Sequence, residues 1–218
     1  MSSPFRLVVF DLDGTLVDSR RDLAESANQV LSDYGCGELS EEVLGGMVGD
    51  GAPTLIARAF RSAGREAPGG ALERFLAVYN GRLLEHTRPY AGIDDVLAHL
   101  SRRVTLGVLT NKPLLPARTI LEHFDLVKHI ALPIVGGDGP LPKKPDPAGL
   151  RHLMAAAHVA PDVSVLVGDS IVDWQTAQAA GVSLCLARYG FGSNSVDANR
   201  LGPGDLAVDA PAALLDLL

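Results

Sequence analysis

The chain has 218 residues, which is more than one average domain and less than two. Hydrophobic residues make up 47% and charged residues 21%, and the mean hydropathy is +0.18, so we exclude a disordered or fibrous chain. The net charge is −7 and there is no run of five or more Lys and Arg residues. Because nucleic acid and anionic membranes attract positive surfaces, we expect neither as a partner.

The two cysteines, Cys36 and Cys185, are far apart and neither has a neighbouring cysteine. We predict buried thiols and no disulfide or thiolate zinc site. The first residues carry no basic segment followed by a long apolar one, and no 18 apolar residues follow one another anywhere. We therefore expect a cytoplasmic protein without a membrane span.

Short apolar runs alternate with longer stretches of helical period, and this alternation predicts a Rossmann-like parallel sheet with helices on its faces. Each run is continuously apolar, as expected for a strand that is buried on both faces. The predicted strands are residues 7–10, 104–109, 130–135, 163–167, 182–186 and 206–208.

One long interval after the first strand contains only helical patterns. Its predicted helices are residues 21–34, 41–45, 52–63 and 71–85. We predict that residues 19–87 form an inserted four-helix cap and that residues 1–18 and 88–218 form the α/β core. Since ligands bind at the carboxyl ends of parallel strands, a cap that leaves the first strand there would lie over the site.

Two acids, Asp11 and Asp13, follow the first predicted strand directly. Residues two apart share a side of an extended backbone, so the two carboxylates lie close together. Such a pair needs either a cation or a proton on one member, which indicates a metal site or a nucleophile with a separate acid. The alternative is a solvated acidic turn, because Asp13-Gly14 is a common turn dipeptide.

Thr110 and Asn111 follow the second long strand. A hydroxyl and free backbone N–H groups at this position form a good receptor for phosphate oxygens. The alternative is that Thr110 caps the next helix.

A pair of lysines, Lys143 and Lys144, precedes two prolines in the sequence Lys143-Lys144-Pro145-Asp146-Pro147. Because the prolines fix the backbone, one lysine can be directed into a site. We choose Lys144 and expect Lys143 on the surface. The alternative is an exposed basic loop.

Two more acids, Asp169 and Asp173, lie where a strand gives way to a helix, and they are one helical turn apart. Hard oxygen ligands from separate strand ends, without nearby His or Cys, favour Mg²⁺ over zinc or copper. The alternative is an acidic helix start that the helix dipole stabilises.

In this order the motifs closely resemble those of the haloacid dehalogenase-like hydrolase superfamily. They are Asp11-x-Asp13-Gly-Thr, Thr110, Lys144-Pro-x-Pro and Gly168-Asp169-x-x-x-Asp173. The likeness covers essentially the whole chain, and the inserted helical cap is the arrangement of the phosphoglycolate phosphatase-like branch.

This resemblance implies an aspartyl-phosphate mechanism. Asp11 would be the nucleophile, and Asp13 would protonate the leaving oxygen and later activate water. Thr110 and Lys144 would complete the catalytic set by holding the phosphoryl group. Dehalogenases lack the second acid, so Asp13 favours a phosphatase.

The resemblance also implies two sets of binding residues. Phosphate and substrate would be bound by Gly14, Thr110, Asn111, Lys144 and Arg58. Mg²⁺ would be bound by Asp11, the backbone carbonyl of Asp13, Asp169 and Asp173, the last through water or as a partner of a ligand.

Residues 48–59 look like the cap segment of phosphoglycolate phosphatases. The helix that opens there could receive the carboxylate of a two-carbon substrate, with Arg58 in support. Asp50 departs from the family, which often has a neutral amide there. Its negative charge disfavours an anionic substrate tail unless the side chain turns away.

The resemblance thus implies a Mg²⁺-dependent phosphatase of a small phosphorylated metabolite, such as 2-phosphoglycolate. The alternatives within the superfamily are a sugar-phosphate, nucleotide or pyrophosphate hydrolase and a β-phosphoglucomutase-like enzyme. From other classes, a signalling receiver is opposed by the long helical insertion, and a regulatory protein with an inactive site by the complete set of catalytic residue types. The oligomeric state stays open.

Overall fold

A computed structural model of the protein describes residues 4–218 and has eight strands in that range. In chain order they are β1 (Leu7–Phe10), β2 (Val17–Asp18), β3 (Arg88–Pro89), β4 (Thr105–Leu109), β5 (Ile134–Val135), β6 (Ser164–Gly168), β7 (Ser183–Ala187) and β8 (Leu206–Val208). Six of them form a parallel sheet in the order β5-β4-β1-β6-β7-β8, which confirms the predicted Rossmann-like α/β fold.

The helices in the same range alternate with these strands or follow β2 as a group. They are α1 (Arg20–Asp33), α2 (Glu41–Gly45), α3 (Ala52–Ser62), α4 (Ala71–Arg82), α5 (Ile93–Leu100), α6 (Leu114–His123), α7 (Ala148–Ala157), α8 (Ile171–Ala180) and α9 (Leu214–Leu217). No helix among the described residues is long and apolar enough to cross a membrane.

The candidate site lies at the carboxyl end of the central strand β1. All four of its residues are buried, and it pairs in parallel with β4 and β6. Asp11, Thr110 and Asp169 are the residues that directly follow these three neighbouring strands. Their side chains therefore start from the same edge of the sheet.

The predicted strand over residues 130–135 is too long, since only Ile134–Val135 pairs with the sheet. Pro133 stands just before it and has no N–H to donate to a ladder, which limits the strand to its last two residues. The prediction of two buried thiols is also only half correct. Cys185 is buried within β7, whereas Cys36 lies half-buried in the loop after α1.

The helices α1 to α4 pack on one another between β2 and β3, close to the predicted helical bounds. The sequence did not reveal β2 and β3, which pair antiparallel over two residues each. The segment that enters the helices and the segment that leaves them are also joined by hydrogen bonds. The buried carboxylate of Asp22, in α1, accepts them from the backbone N–H groups of His86 and Thr87, just before β3. The division into a cap at residues 19–87 and a core stays a prediction.

Candidate active site

Asp11 and Lys144 form a buried ion pair at the end of β1. The Lys144 Nζ atom lies 2.9 Å from Asp11 Oδ1 and 2.6 Å from Asp173 Oδ1. Burial raises the pKa of the Asp11 carboxyl to about 6, although the Lys144 ammonium opposes this rise. Lys143 is exposed, so the structure directs into the site the lysine that we chose from the sequence.

Lys144 keeps its charge in this environment. Burial disfavours the ammonium, but the two carboxylates of Asp11 and Asp173 outweigh this cost and raise the pKa of Lys144 above its usual value. The pair therefore consists of a carboxyl group whose protonated form burial favours and an ammonium whose charged form two carboxylates favour.

Three buried carboxylates converge beside this pair. Asp11, Asp169 and Asp173 each offer an oxygen, and these oxygens all lie within 4.8 Å of one another. Burial raises the pKa of Asp169 well above its usual value, and the charges of Asp173 and Asp11 add to this effect. One ammonium does not balance three acids, so these hard oxygen donors fit a divalent cation.

The acidic cluster is held by hydrogen bonds from its surroundings. The backbone N–H of Gly192 donates to Asp169 Oδ2 at 2.7 Å. The Ser170 hydroxyl and backbone N–H donate to Asp173 Oδ2 at 2.7 and 3.0 Å, which leaves Asp173 Oδ1 for Lys144. Asp173 thus also acts as the capping acid of α8, so the alternative of an acidic helix start is correct in part.

The carboxylate of Asp13 is not a member of this cluster and pairs with Lys112. Its two oxygens each lie 2.9 Å from the Nζ atom of Lys112, and the Ser19 hydroxyl donates to Oδ1 at 2.5 Å. The alternative of a solvated acidic turn is wrong, because this carboxylate is largely buried in a salt bridge. A metal contact by Asp13 would fall to its backbone carbonyl, as the resemblance implied.

Thr110 and Asn111 are both buried at the end of β4. The Asn111 Nδ2 atom donates to the backbone carbonyls of Gly49 and Lys144 at 2.8 and 2.9 Å, and so connects the helical insertion to the lysine loop. The alternative that Thr110 caps the next helix is wrong, because α6 begins only at Leu114, whose N–H is capped by Asp138.

A cavity of about 370 Å³ opens above these residues. Its floor includes Asp11, Asp13, Thr110 and Asn111, and its walls are mostly apolar side chains of the helical insertion. The insertion contributes Leu23, Val48, Leu55, Phe75, Leu76 and Tyr79 to these walls.

Arg58 is a predicted substrate-binding residue that the structure brings neither to the cavity nor to the acidic cluster. Its Nη1 atom lies 2.6 Å from Asp50 Oδ2 and 3.2 Å from the Met47 carbonyl oxygen, and neither Arg58 nor Asp50 lines the cavity. The buried face of α3 carries Leu55 and Phe60, so Arg58 extends from the other side of the helix. Asp50 has turned away from the cavity toward this cation.

Two features of the site were missed in the sequence. Lys112 lies beneath the cavity with its Nζ atom 4.6 Å from the centre of the Tyr79 ring. Burial disfavours its charge, but Asp13 raises the pKa of Lys112 above its usual value. In the sequence, the only sign of this role was the position of Lys112 after a predicted strand and before Pro113. The second missed feature is the loop Gly190-Phe191-Gly192, which contacts Asp169 but resembles an ordinary turn in the sequence.

A parallel α/β fold with buried acids and a lysine at the carboxyl edge of the sheet defines a Rossmann-like protein with a hydrolase-type site. Residues 8–187 match the family model of haloacid dehalogenase-like hydrolases, and the chain belongs to this family. The phosphoglycolate phosphatase of Rhodospirillum rubrum is 40% identical over 200 residues, which cover 88% of this chain and 83% of that protein.

Further relatives agree with this placement in the phosphoglycolate phosphatase-like branch. The plasmid phosphoglycolate phosphatase of Cupriavidus necator is 37% identical over 226 residues, covering 100% of this chain and 92% of that protein. A crystal structure described as a predicted phosphoglycolate phosphatase from Haemophilus somnus matches with a TM-score of 0.88 and 30% identity, covering 99% of this chain and 98% of that chain.

Proposed function

We propose that the protein is a cytoplasmic, Mg²⁺-dependent phosphatase that hydrolyses 2-phosphoglycolate or a similar small phosphate monoester. The observation that carries this proposal is the buried ion pair between Lys144 and Asp11, of which Asp11 lines the cavity. The identity of 35–40% to named phosphoglycolate phosphatases over most of the chain supports the choice of substrate.

The first step is attack of an Asp11 carboxylate oxygen on phosphorus. The new Asp11 oxygen–phosphorus bond forms as the ester oxygen leaves with its electron pair, and Asp13 supplies the proton for that oxygen. Lys144 holds Asp11 in place at 2.9 Å and offsets the negative charge that gathers around it.

The second step returns the enzyme to its starting state. Asp13 takes a proton from water, the water oxygen attacks phosphorus, and the bond to Asp11 breaks to release inorganic phosphate. The Thr110 hydroxyl and the Asn111 backbone N–H bind phosphoryl oxygens from the end of the neighbouring strand β4. Gly14 has no side chain and so leaves room for the Asp169 carboxylate beside the site.

Asp11 and Asp169 would hold Mg²⁺, together with the backbone carbonyl of Asp13 and with Asp173 as their charged partner. When bound, the cation would neutralise charge between the nucleophile and the phosphoryl group. The predicted cap at residues 19–87 supplies the apolar walls that keep bulk water from the cavity.

The proposal is tested with a panel of phosphate monoesters assayed in Mg²⁺ and in EDTA. The panel includes 2-phosphoglycolate, sugar phosphates, nucleotides and pyrophosphate, so that its ranking also tests the alternative substrates. We expect 2-phosphoglycolate to rank first, EDTA to abolish turnover, and Asp11→Asn to lower kcat at least about 10⁴-fold. Asp162→Asn is the matched control, because Asp162 is exposed just before β6 begins, at the other edge of the sheet. Turnover that survives in Asp11→Asn would refute the mechanism.

A further inference from the structure

The cavity has an unbalanced set of charges. Among the described residues that line it, Asp11, Asp13 and Asp138 are acidic, and Lys112 alone carries a positive side chain. The remaining walls are largely apolar. A buried charge needs a partner. If the substrate carries a second anionic group besides its phosphate, Lys112 is the cation among these lining residues that can pair with it.

None of the other nearby cations in the described part of the chain lines the cavity. Arg58 lies outside the cavity in its salt bridge with Asp50, at 2.6 Å. Lys144 is buried between Asp11 and Asp173 and would act on the transferring phosphate. Lys143 is exposed and does not line the cavity, and its Nζ atom lies at the rim, 3.2 Å from where a β-carbon on Gly51 would stand.

Lys112 is adjacent to the group that would meet the leaving oxygen. Its Nζ atom lies 2.9 Å from both oxygens of Asp13, the proposed proton donor. In a phosphate ester of an α-hydroxy acid, two bonds of about 1.5 Å each separate the ester oxygen from the carboxylate carbon. A substrate carboxylate would then lie beside Asp13, within reach of the Lys112 ammonium.

We propose that Lys112 binds the carboxylate of the substrate and makes the enzyme selective for phosphate monoesters of α-hydroxy acids. The inference rests on the proposed phosphatase function and deepens it from one compound to a chemical class. An ammonium has three N–H donors, so Lys112 can contact Asp13 and a substrate carboxylate together. Esters with a distant carboxylate, or with none, would leave this cation without a partner in the substrate.

The ammonium is held in place before substrate arrives. Its Nζ atom lies 4.6 Å from the centre of the Tyr79 ring, and Phe75 stacks on that ring with centroids 5.7 Å apart. Lys112 is thus fixed between the core acid Asp13 and an aromatic pair of α4. Such preorganisation reduces the entropy that binding would otherwise cost.

The test compares 2-phosphoglycolate with its neutral amide, which has nearly the same size and position of the leaving oxygen. Values of kcat/KM are measured for both esters in the wild type, Lys112→Met and Lys112→Arg. We expect the wild type to prefer the acid and Lys112→Met to lower that preference by about 10- to 100-fold, because a charged hydrogen bond is lost. Lys112→Arg keeps the charge and should restore part of the preference.

Two further variants separate specificity from general damage. Lys128→Met removes an exposed lysine that pairs with Asp125, and it should leave the acid-to-amide preference unchanged. Equal losses for both esters in Lys112→Met would overturn the proposal, since they would show that Lys112 only positions Asp13. A collapse of the preference in Arg58→Met, with Lys112→Met unaffected, would also overturn it. If the wild type hydrolyses no phosphate ester, the proposed function itself has failed.

Discussion

Gly14 lies against the carboxylate of Asp169 so closely that a single methyl group at position 14 would overlap it. Gly14 has φ +87°, a left-handed conformation that side chains rarely adopt. Asp169 is restrained on another side by the backbone N–H of Gly192 at 2.7 Å. The backbone at Gly14 and at Gly192 therefore holds the Asp169 carboxylate in one position.

We predict that Gly14→Ala displaces Asp169 and lowers kcat at least about 100-fold, because a metal ligand is moved out of place. The same change should reduce the free energy of unfolding by at least about 1–2 kcal/mol, the cost of a left-handed alanine, because the overlap with Asp169 adds to that cost. Steady-state kinetics in saturating Mg²⁺ and urea unfolding measure the two effects.

The matched control for this change is Gly64→Ala. Gly64 has φ +82°, but no atom lies within 4 Å of the position that its β-carbon would occupy. This variant should therefore lose only the stability that the left-handed backbone costs and retain its activity. If both glycine variants lose activity equally, the contact between Gly14 and Asp169 has no special role.

A second prediction concerns the buried ammonium of Lys144. Lys144→Met should lower the free energy of unfolding in EDTA by about 3–5 kcal/mol, because it leaves Asp11 and Asp173 without a buried counter-charge. It should also lower kcat sharply, since the nucleophile loses its contact. Urea unfolding by circular dichroism gives the stability value.

The double variant Asp11→Asn/Lys144→Met isolates this pair. Removing the Asp11 charge relieves part of the repulsion that Lys144→Met creates. The double variant should therefore lose less unfolding free energy than the sum of the two single variants, by at least about 1 kcal/mol. Strict additivity would show that the Asp11–Lys144 contact contributes nothing to stability.

Most of the fold was predictable because its signals are local. A strand that is buried on both faces must be continuously apolar, and the runs that begin at Leu7 and Leu206 mark their strands to the residue. The parallel arrangement then brings Asp11, Thr110 and Asp169 to one edge, because each directly follows its strand.

The parts that were missed depend on contacts between distant residues. Lys112 pairs with Asp13 across 99 positions of sequence, and no local pattern distinguishes this buried lysine from a surface one. For Arg58, helical period predicts α3 but does not fix the partner of a half-buried arginine, which in the structure is Asp50 at 2.6 Å. The role of Gly192 depends on a backbone N–H, which every residue except proline carries.

A third prediction concerns the aromatic ring beneath Lys112. Tyr79→Leu should lower kcat/KM for 2-phosphoglycolate by about tenfold, because the ring attracts and restrains the ammonium at 4.6 Å. Tyr79→Phe keeps the ring and should recover most of that loss. A deficit in Tyr79→Phe as large as in Tyr79→Leu would show that the hydroxyl, and not the ring, matters.

A final prediction joins the acidic cluster to pH. The carboxylates must be ionised to bind Mg²⁺, and burial raises the pKa of Asp11 to about 6 and that of Asp169 well above its usual value. Protons therefore compete with the cation at low pH. We expect the rise in Tm that millimolar Mg²⁺ causes to be small near pH 5 and to grow as the pH passes through about 6.

The matched variants for this measurement are Asp169→Asn and Asp162→Asn. Asp169→Asn removes a carboxylate of the cluster and should abolish the Mg²⁺-induced rise in Tm at every pH, whereas the exposed Asp162 lies outside the cluster and its variant should behave as the wild type. A rise that is equally large near pH 5, or that persists in Asp169→Asn, would place the cation elsewhere. The pH dependence thus tests the location of the ion without relying on turnover.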